Sequence, residues 1–135
     1  MKIKSSVFCW ILLALVACQP KGKSEIAAIL GINEPEEWIL VIHPEGCKTC
    51  LDEFYYQLEK IQNIDSGAIV ILSKNTKSLR AIPLISNSPL PLYLDEKKKL
   101  IKKNLINKSD QIILFKNNGA QKFDILNYQK VFNQL

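Results

Sequence analysis

Apolar residues along this chain fall into two kinds of run, continuous and striped, and their alternation sets out an order of elements. Trp38-Ile39-Leu40-Val41-Ile42 is unbroken and rich in β-branched residues, which predicts a strand covered on both faces, as in a parallel sheet. Pro44 and Gly46 end it. From Cys47 onward Leu51, Phe54, Tyr55, Leu58 and Ile61 recur at helical spacing, which predicts a helix with one buried stripe. Asn63 to Gly67 closes that helix, and Ala68-Ile69-Val70-Ile71-Leu72 predicts a second buried strand. Strand, helix and strand within about 35 residues form a βαβ unit, whose crossover is right-handed.

The remaining segments read less uniformly. Ser24 is placed to cap a short helix, Glu25 to Leu30, stopped by Gly31. Thr76 to Ile85 is interrupted by Pro83 and defines no element. Leu90 to Leu94 alternates, and Pro91 directs it to a sheet edge. Lys97 to Ile106 predicts a surface helix buried through Leu100, Ile101 and Leu105. Ile112 to Phe115 predicts a further strand, which Asn117-Asn118-Gly119 turns into Gln121 to Ile125 as a hairpin. A last helix is expected from Tyr128 to Leu135. Trp38, Tyr55, Tyr56 and Tyr93 are expected in or at the core.

The first residues stand apart from this domain. Lys2 and Lys4 precede an apolar run of eleven residues, Val7 to Ala17. That run is too short to span a bilayer as a helix and has the charge pattern of a signal peptide. It ends in Leu15-Val16-Ala17-Cys18, which resembles the lipobox of bacterial lipoproteins. The resemblance implies cleavage before Cys18 and lipid on its sulfur and amine, hence anchoring to a membrane. The expected organisation is a lipoprotein signal peptide over 1–17, a lipidated cysteine and tether over 18–24, and a folded domain over 25–135. Six extended residues, Gln19 to Ser24, reach only about 20 Å, so the domain would sit close to the membrane, on its periplasmic or extracytoplasmic side.

Charge adds little. The chain carries +5, and without Lys2 and Lys4 about +3, which suggests no nucleic-acid role, as does export. Lys97, Lys98, Lys99, Lys102, Lys103 and Lys108 form a basic cluster. It reads as a solvated helix face, or as a face that touches anionic headgroups.

The cysteines add more. Of four, Cys9 lies in the signal peptide and Cys18 in the lipobox, which leaves Cys47 and Cys50. A disulfide closing so short a loop contributes roughly 2 kcal/mol in the chain-entropy model, so a staple alone is a weak reason for the pair. Cys47 stands directly after a buried strand and opens a helix. The free N–H groups and partial positive charge of a helix start favour a thiolate, and Lys48 adds a cation. Cys50, one turn on, is within reach to resolve a mixed disulfide formed at Cys47.

An apolar strand, Cys47-Lys48-Thr49-Cys50 opening a helix, a βαβ unit, a β-hairpin and a last helix together resemble the thioredoxin fold. Ile112-Ile113-Leu114-Phe115-Lys116-Asn117-Asn118-Gly119 is similar to its third strand and turn, and Leu92 to Gly119 to the membrane-tethered TlpA/ResA-like branch. The resemblance covers roughly residues 36–135. It implies an α/β domain with a central mixed β-sheet and flanking helices. It further implies a thiol–disulfide oxidoreductase with Cys47 as nucleophile and Cys50 as resolving cysteine, acting on protein thiols or disulfides without a cofactor. The chain departs from the family at three places. Val41 replaces an acid six positions before the first cysteine, Asp110 replaces the cis-proline before the third strand, and Gly46 replaces an aromatic residue. A cis bond without proline costs about 2.5–4 kcal/mol, so Ser109–Asp110 is expected trans.

Asp110 would raise the pKa of Cys47 if it lay beside it; otherwise it caps a loop. His43, the only histidine, could tune the thiolate or join the two thiols as a metal ligand; the plainer reading is a strand-end histidine facing solvent. Two other functions fit the same residues: a copper-handling module, and a thioredoxin-fold interaction lipoprotein without turnover.

Overall fold

The computed structural model describes residues 22–61, 67–74, 83–84, 89–117 and 119–135. Residues 1–17, read above as a signal peptide, Cys18, most of Thr76 to Ile85 and Asn118 lie outside them. Among the described residues no helix is long and apolar enough to cross a membrane.

Five strands form one mixed sheet: β1 (Trp38–Ile42), β2 (Gly67–Ile71), β3 (Leu92–Leu94), β4 (Ile112–Lys116) and β5 (Gly119–Phe123), in the order β3-β2-β1-β4-β5. β1 runs parallel to β2, and β2 to β3, while β4 is antiparallel to both β1 and β5. The helices are α1 (Lys23–Leu30), α2 (Lys48–Glu59), α3 (Lys99–Lys102) and α4 (Gln129–Phe132). This is the thioredoxin-like α/β class, with a βαβ unit followed by a hairpin and a C-terminal helix.

The continuous apolar runs became the centre of the sheet. Every residue of β1 and β2 is buried, and side chains alternate between two layers. Trp38, Leu40 and Ile42 pack with Ile69, Ile71, Ile112 and Leu114 beneath Leu51, Phe54, Tyr55 and Leu58 of α2. Ile39 and Val41 face the other way, against Val70, Ile113, Phe115, Ile26 of α1 and Leu100 of α3. Burying one such side chain fully contributes about 1.5–3 kcal/mol, so the pattern that predicted these strands also accounts for their stability. Tyr128 and Phe132 complete the α2 layer, each with its ring 5.7 Å from that of Phe54.

β3 is the edge strand expected from Pro91, whose carbonyl accepts from Ile69 N–H on the β2 side. Gly31 ends α1 in the left-handed region (φ 66°), as expected of a helix-terminating glycine.

Several boundaries differ from the sequence reading. The first helix begins at Lys23 rather than Glu25, and Ser24 does not cap it. Ser24 Oγ bonds to Glu34, and the buried Lys23 ammonium bonds to Glu34 Oε1 (2.9 Å) and Pro35 O (2.6 Å). Two residues read as tether therefore belong to the fold. Helix α2 ends at Glu59, and Gly67 opens β2. The expected helix over Lys97 to Ile106 shrinks to the four residues of α3. Like charges at helical spacing repel along that stretch, and Lys98 (φ 51°) and Asn104 (φ 57°) take left-handed conformations on either side. Asp95, nearly fully buried, starts α3 by accepting from Lys99 N (2.9 Å) and Leu100 N (3.0 Å). The second hairpin strand begins at Gly119 instead of Gln121. The last helix, expected over Tyr128 to Leu135, shrinks to the short α4, and a 3-10 turn (Ile125–Asn127), opened by Asp124 accepting from Leu126 N, precedes it. Tyr56 is exposed, beneath the Lys60 ammonium.

Candidate functional site

The cysteine pair sits where the central strand ends. His43 continues the β1–β4 pairing for one more bond, donating its N–H to Gln111 O at 2.8 Å, and Glu45 N–H turns back to His43 O at 2.8 Å. Gly46 then adopts φ 99°, a conformation that glycine accommodates and L side chains rarely do. Space is tight there as well, because a Cβ would lie 3.1 Å from Gln111 Nε2. The residue that departs from the family aromatic thus makes the turn that delivers Cys47 to the helix start.

Cys47 is the N-cap of α2, in extended conformation, and its Sγ accepts from Cys50 N–H at 3.2 Å. Cys47 and Cys50 are joined as a disulfide, with Cα atoms 5.2 Å apart. Both are half-buried and rest on the layer beneath α2. Lys48 and Thr49 between them are exposed. Cys47, Lys48 and Cys50 therefore stand as their spacing implied, at the first turn of a helix that follows the buried central strand.

Gln111 is the neighbour that sequence reasoning missed. Its side chain lies against Gly46, and its Oε1 accepts from Ile125 N–H at 2.8 Å, which ties the entrance of β4 to the turn before α4. A polar residue directly before an apolar strand was the available signal. Asp110 next to it faces other partners. Its carboxylate accepts from Asn107 N–H at 2.7 Å and pairs with Lys122 Nζ at 3.1 Å, the loop-capping role. No cis peptide bond occurs among the described residues. Val41 points into the layer opposite α2.

His43 is buried, not solvent-facing. It follows Ile39 and Val41 in alternation and lines a hollow with Glu45, Lys98, Ile101, Lys102 and Lys108. Its Nε2 lies 2.9 Å from Glu45 Oε1 but lacks the alignment of a hydrogen bond. Among the described residues no three His, Cys, Asp or Glu side chains are grouped to hold a metal ion, so His43 does not join the two cysteines as a ligand set. Tyr55 in α2 has its hydroxyl buried without a hydrogen-bond partner, and burial, helped by the Asp52 charge, pushes its ionisation well above the ordinary tyrosine value.

Fold and site together define a thioredoxin-like domain with a Cys-x-x-Cys disulfide at a helix start. No protein-family model and no curated protein matches the chain. A solved structure, the C-terminal domain of an uncharacterized protein from Bacteroides fragilis NCTC 9343, is similar over 75% of this chain and 79% of its own, with 19% identity and a TM-score of 0.44.

Proposed function

We propose that this chain is a membrane-anchored, extracytoplasmic thiol–disulfide oxidoreductase of TlpA/ResA-like type. The supporting observation is that Cys47 caps α2, its sulfur already accepting a backbone N–H, with Cys50 bonded to it one turn further in. In the reduced protein the same N–H and the helix start would stabilise a Cys47 thiolate. That thiolate attacks a partner disulfide, one partner sulfur leaves as thiolate, and a mixed disulfide forms. Cys50 gives up its proton to solvent and attacks Cys47 Sγ, which releases the second partner thiolate and restores the Cys47–Cys50 bond. The partner gains two electrons and the pair loses two; run in reverse, the disulfide oxidises a partner dithiol.

With limiting iodoacetamide at pH 7, Cys47 of the reduced protein should be modified about ten times faster than Cys50, since a pKa one or more units below ~8.5 raises its thiolate fraction by that order. Peptide mass analysis of a time course reads this directly. Equal rates would leave the proposal without its nucleophile.

Anchoring through lipid on Cys18 is the other half of the proposal and has its own test. Cys18→Ser should move the protein from the membrane to the soluble fraction after cell disruption, and the wild-type amino-terminal peptide should carry the mass of acyl chains. An unmodified Cys18 in the mature protein would refute it.

A further inference from the structure

The hollow beside His43 is unused by the thiol chemistry above. It lies in the layer opposite α2 and measures about 450 Å³. Three lysines line it, Lys98, Lys102 and Lys108, against one acidic residue, Glu45. At its inner wall stands His43, whose side chain is 4% exposed and whose Nε2 has no hydrogen-bond partner. A buried polar nitrogen left unsatisfied costs about 1–3 kcal/mol. Glu45 reaches two of these residues: its Oε1 is 2.9 Å from His43 Nε2 and 3.9 Å from Lys98 Nζ, while its side chain is 63% exposed. One exposed carboxylate thus lies beside His43 and Lys98 in a site lined by three lysines. The backbone N–H groups of Lys99 and Leu100 at the start of α3 are already taken by Asp95, so an incoming anion would be held by side chains. Lys98 keeps a left-handed backbone (φ 51°) there, an unfavourable conformation for a lysine.

We propose that this hollow binds a phosphate group, which displaces the Glu45 carboxylate and is held by His43, Lys98, Lys102 and Lys108. A phosphate dianion matches the surplus of two positive charges left by three lysines and one glutamate. Its several acceptor oxygens can serve the imidazole and the ammonium groups together. A phosphomonoester in solution and an anionic phospholipid headgroup offer this same chemistry.

His43, as the only histidine, provides isolated ring-proton resonances for the test. The full chain is held in phosphatidylcholine nanodiscs and titrated with inorganic phosphate at fixed pH, with sodium chloride as the ionic-strength control. The His43 resonances should shift saturably, with half-saturation in the millimolar range or below. Lys98→Ala and Lys102→Ala should each weaken binding by about tenfold, the loss of one charge-assisted contact. Glu45→Gln should tighten it at least about threefold, because the competing carboxylate is gone; a merely basic surface would barely respond to that change. Backbone amide spectra of each variant check that the fold is kept, and Lys102→Met repeats the test with the chain length preserved.

A second arm replaces part of the phosphatidylcholine by phosphatidylglycerol. A His43 shift with phosphatidylglycerol that free phosphate reverses assigns the lipid headgroup. A response to free phosphate alone assigns a soluble phosphate compound. Response to neither, or shifts that sodium chloride reproduces, would overturn the proposal.

Discussion

Cys50→Ser is expected to accumulate as a covalent adduct with a natural partner protein, whereas Cys47→Ser is expected to yield almost none. With Cys47 at the N-cap of α2, its thiolate can still open a partner disulfide when Cys50 is absent. The second displacement cannot follow, so the mixed disulfide persists until an external thiol arrives. Both variants should lose essentially all dithiothreitol-coupled insulin reduction above background, since a single thiol cannot complete the exchange. Non-reducing electrophoresis followed by mass spectrometry identifies the trapped species. Were neither variant to trap a partner, and were wild type inactive on insulin, the domain would be a binding module. Inhibition of the wild type by added copper, with stoichiometric copper on the reduced pair, would instead favour metal handling.

Gly67→Ala should cost about 3 kcal/mol or more of folding stability, at or beyond the upper end of ordinary overpacking. Gly67 opens β2 opposite Trp38 of β1, and the indole lies over it so closely that a Cβ would clash with the ring. The indole is almost fully buried under the α2 layer, so it cannot yield without disturbing that packing. The intrinsic preference of strands for alanine over glycine, roughly 0.5–1 kcal/mol, offsets only part of this. Urea unfolding followed by circular dichroism measures the loss. Trp38→Leu in the Gly67→Ala background should recover part of it. A Gly67→Ala protein as stable as wild type would contradict the close approach.

Much of this architecture was legible in the sequence, and the reason is burial. Runs such as Trp38 to Ile42 and Ile112 to Phe115 leave no polar face, so they suit only the middle of a sheet, and the stripe from Leu51 to Leu58 suits only a helix laid across it. The cysteine pair was legible because its meaning depends on position along the chain: last strand residue, turn, helix start. What escaped was set by contacts distant in sequence. Gly67 reads as a loop glycine until Trp38 is seen above it. Lys23 reads as part of a tether until Glu34 and Pro35 O are found holding its ammonium. Lys97 to Ile106 has apolar residues at helical spacing, yet Asp95 starts its helix late and Asn104 turns left-handed soon after. Gln111 could not be assigned its contact with Gly46 from local pattern, because that contact joins the ends of two strands far apart in sequence.

Helix α1 bears on how a lipid-anchored chain would be oriented. It packs through Ile26 and Ala27 into the layer opposite α2, and only four residues, 19–22, separate Cys18 from its first turn. Four residues reach roughly 14 Å even when extended. A chain held by lipid on Cys18 would therefore be moored by the side of the sheet that carries α1 and the lysine-lined hollow. The disulfide, on the α2 side, would be turned outward, where another folded protein could approach it without first displacing the bilayer.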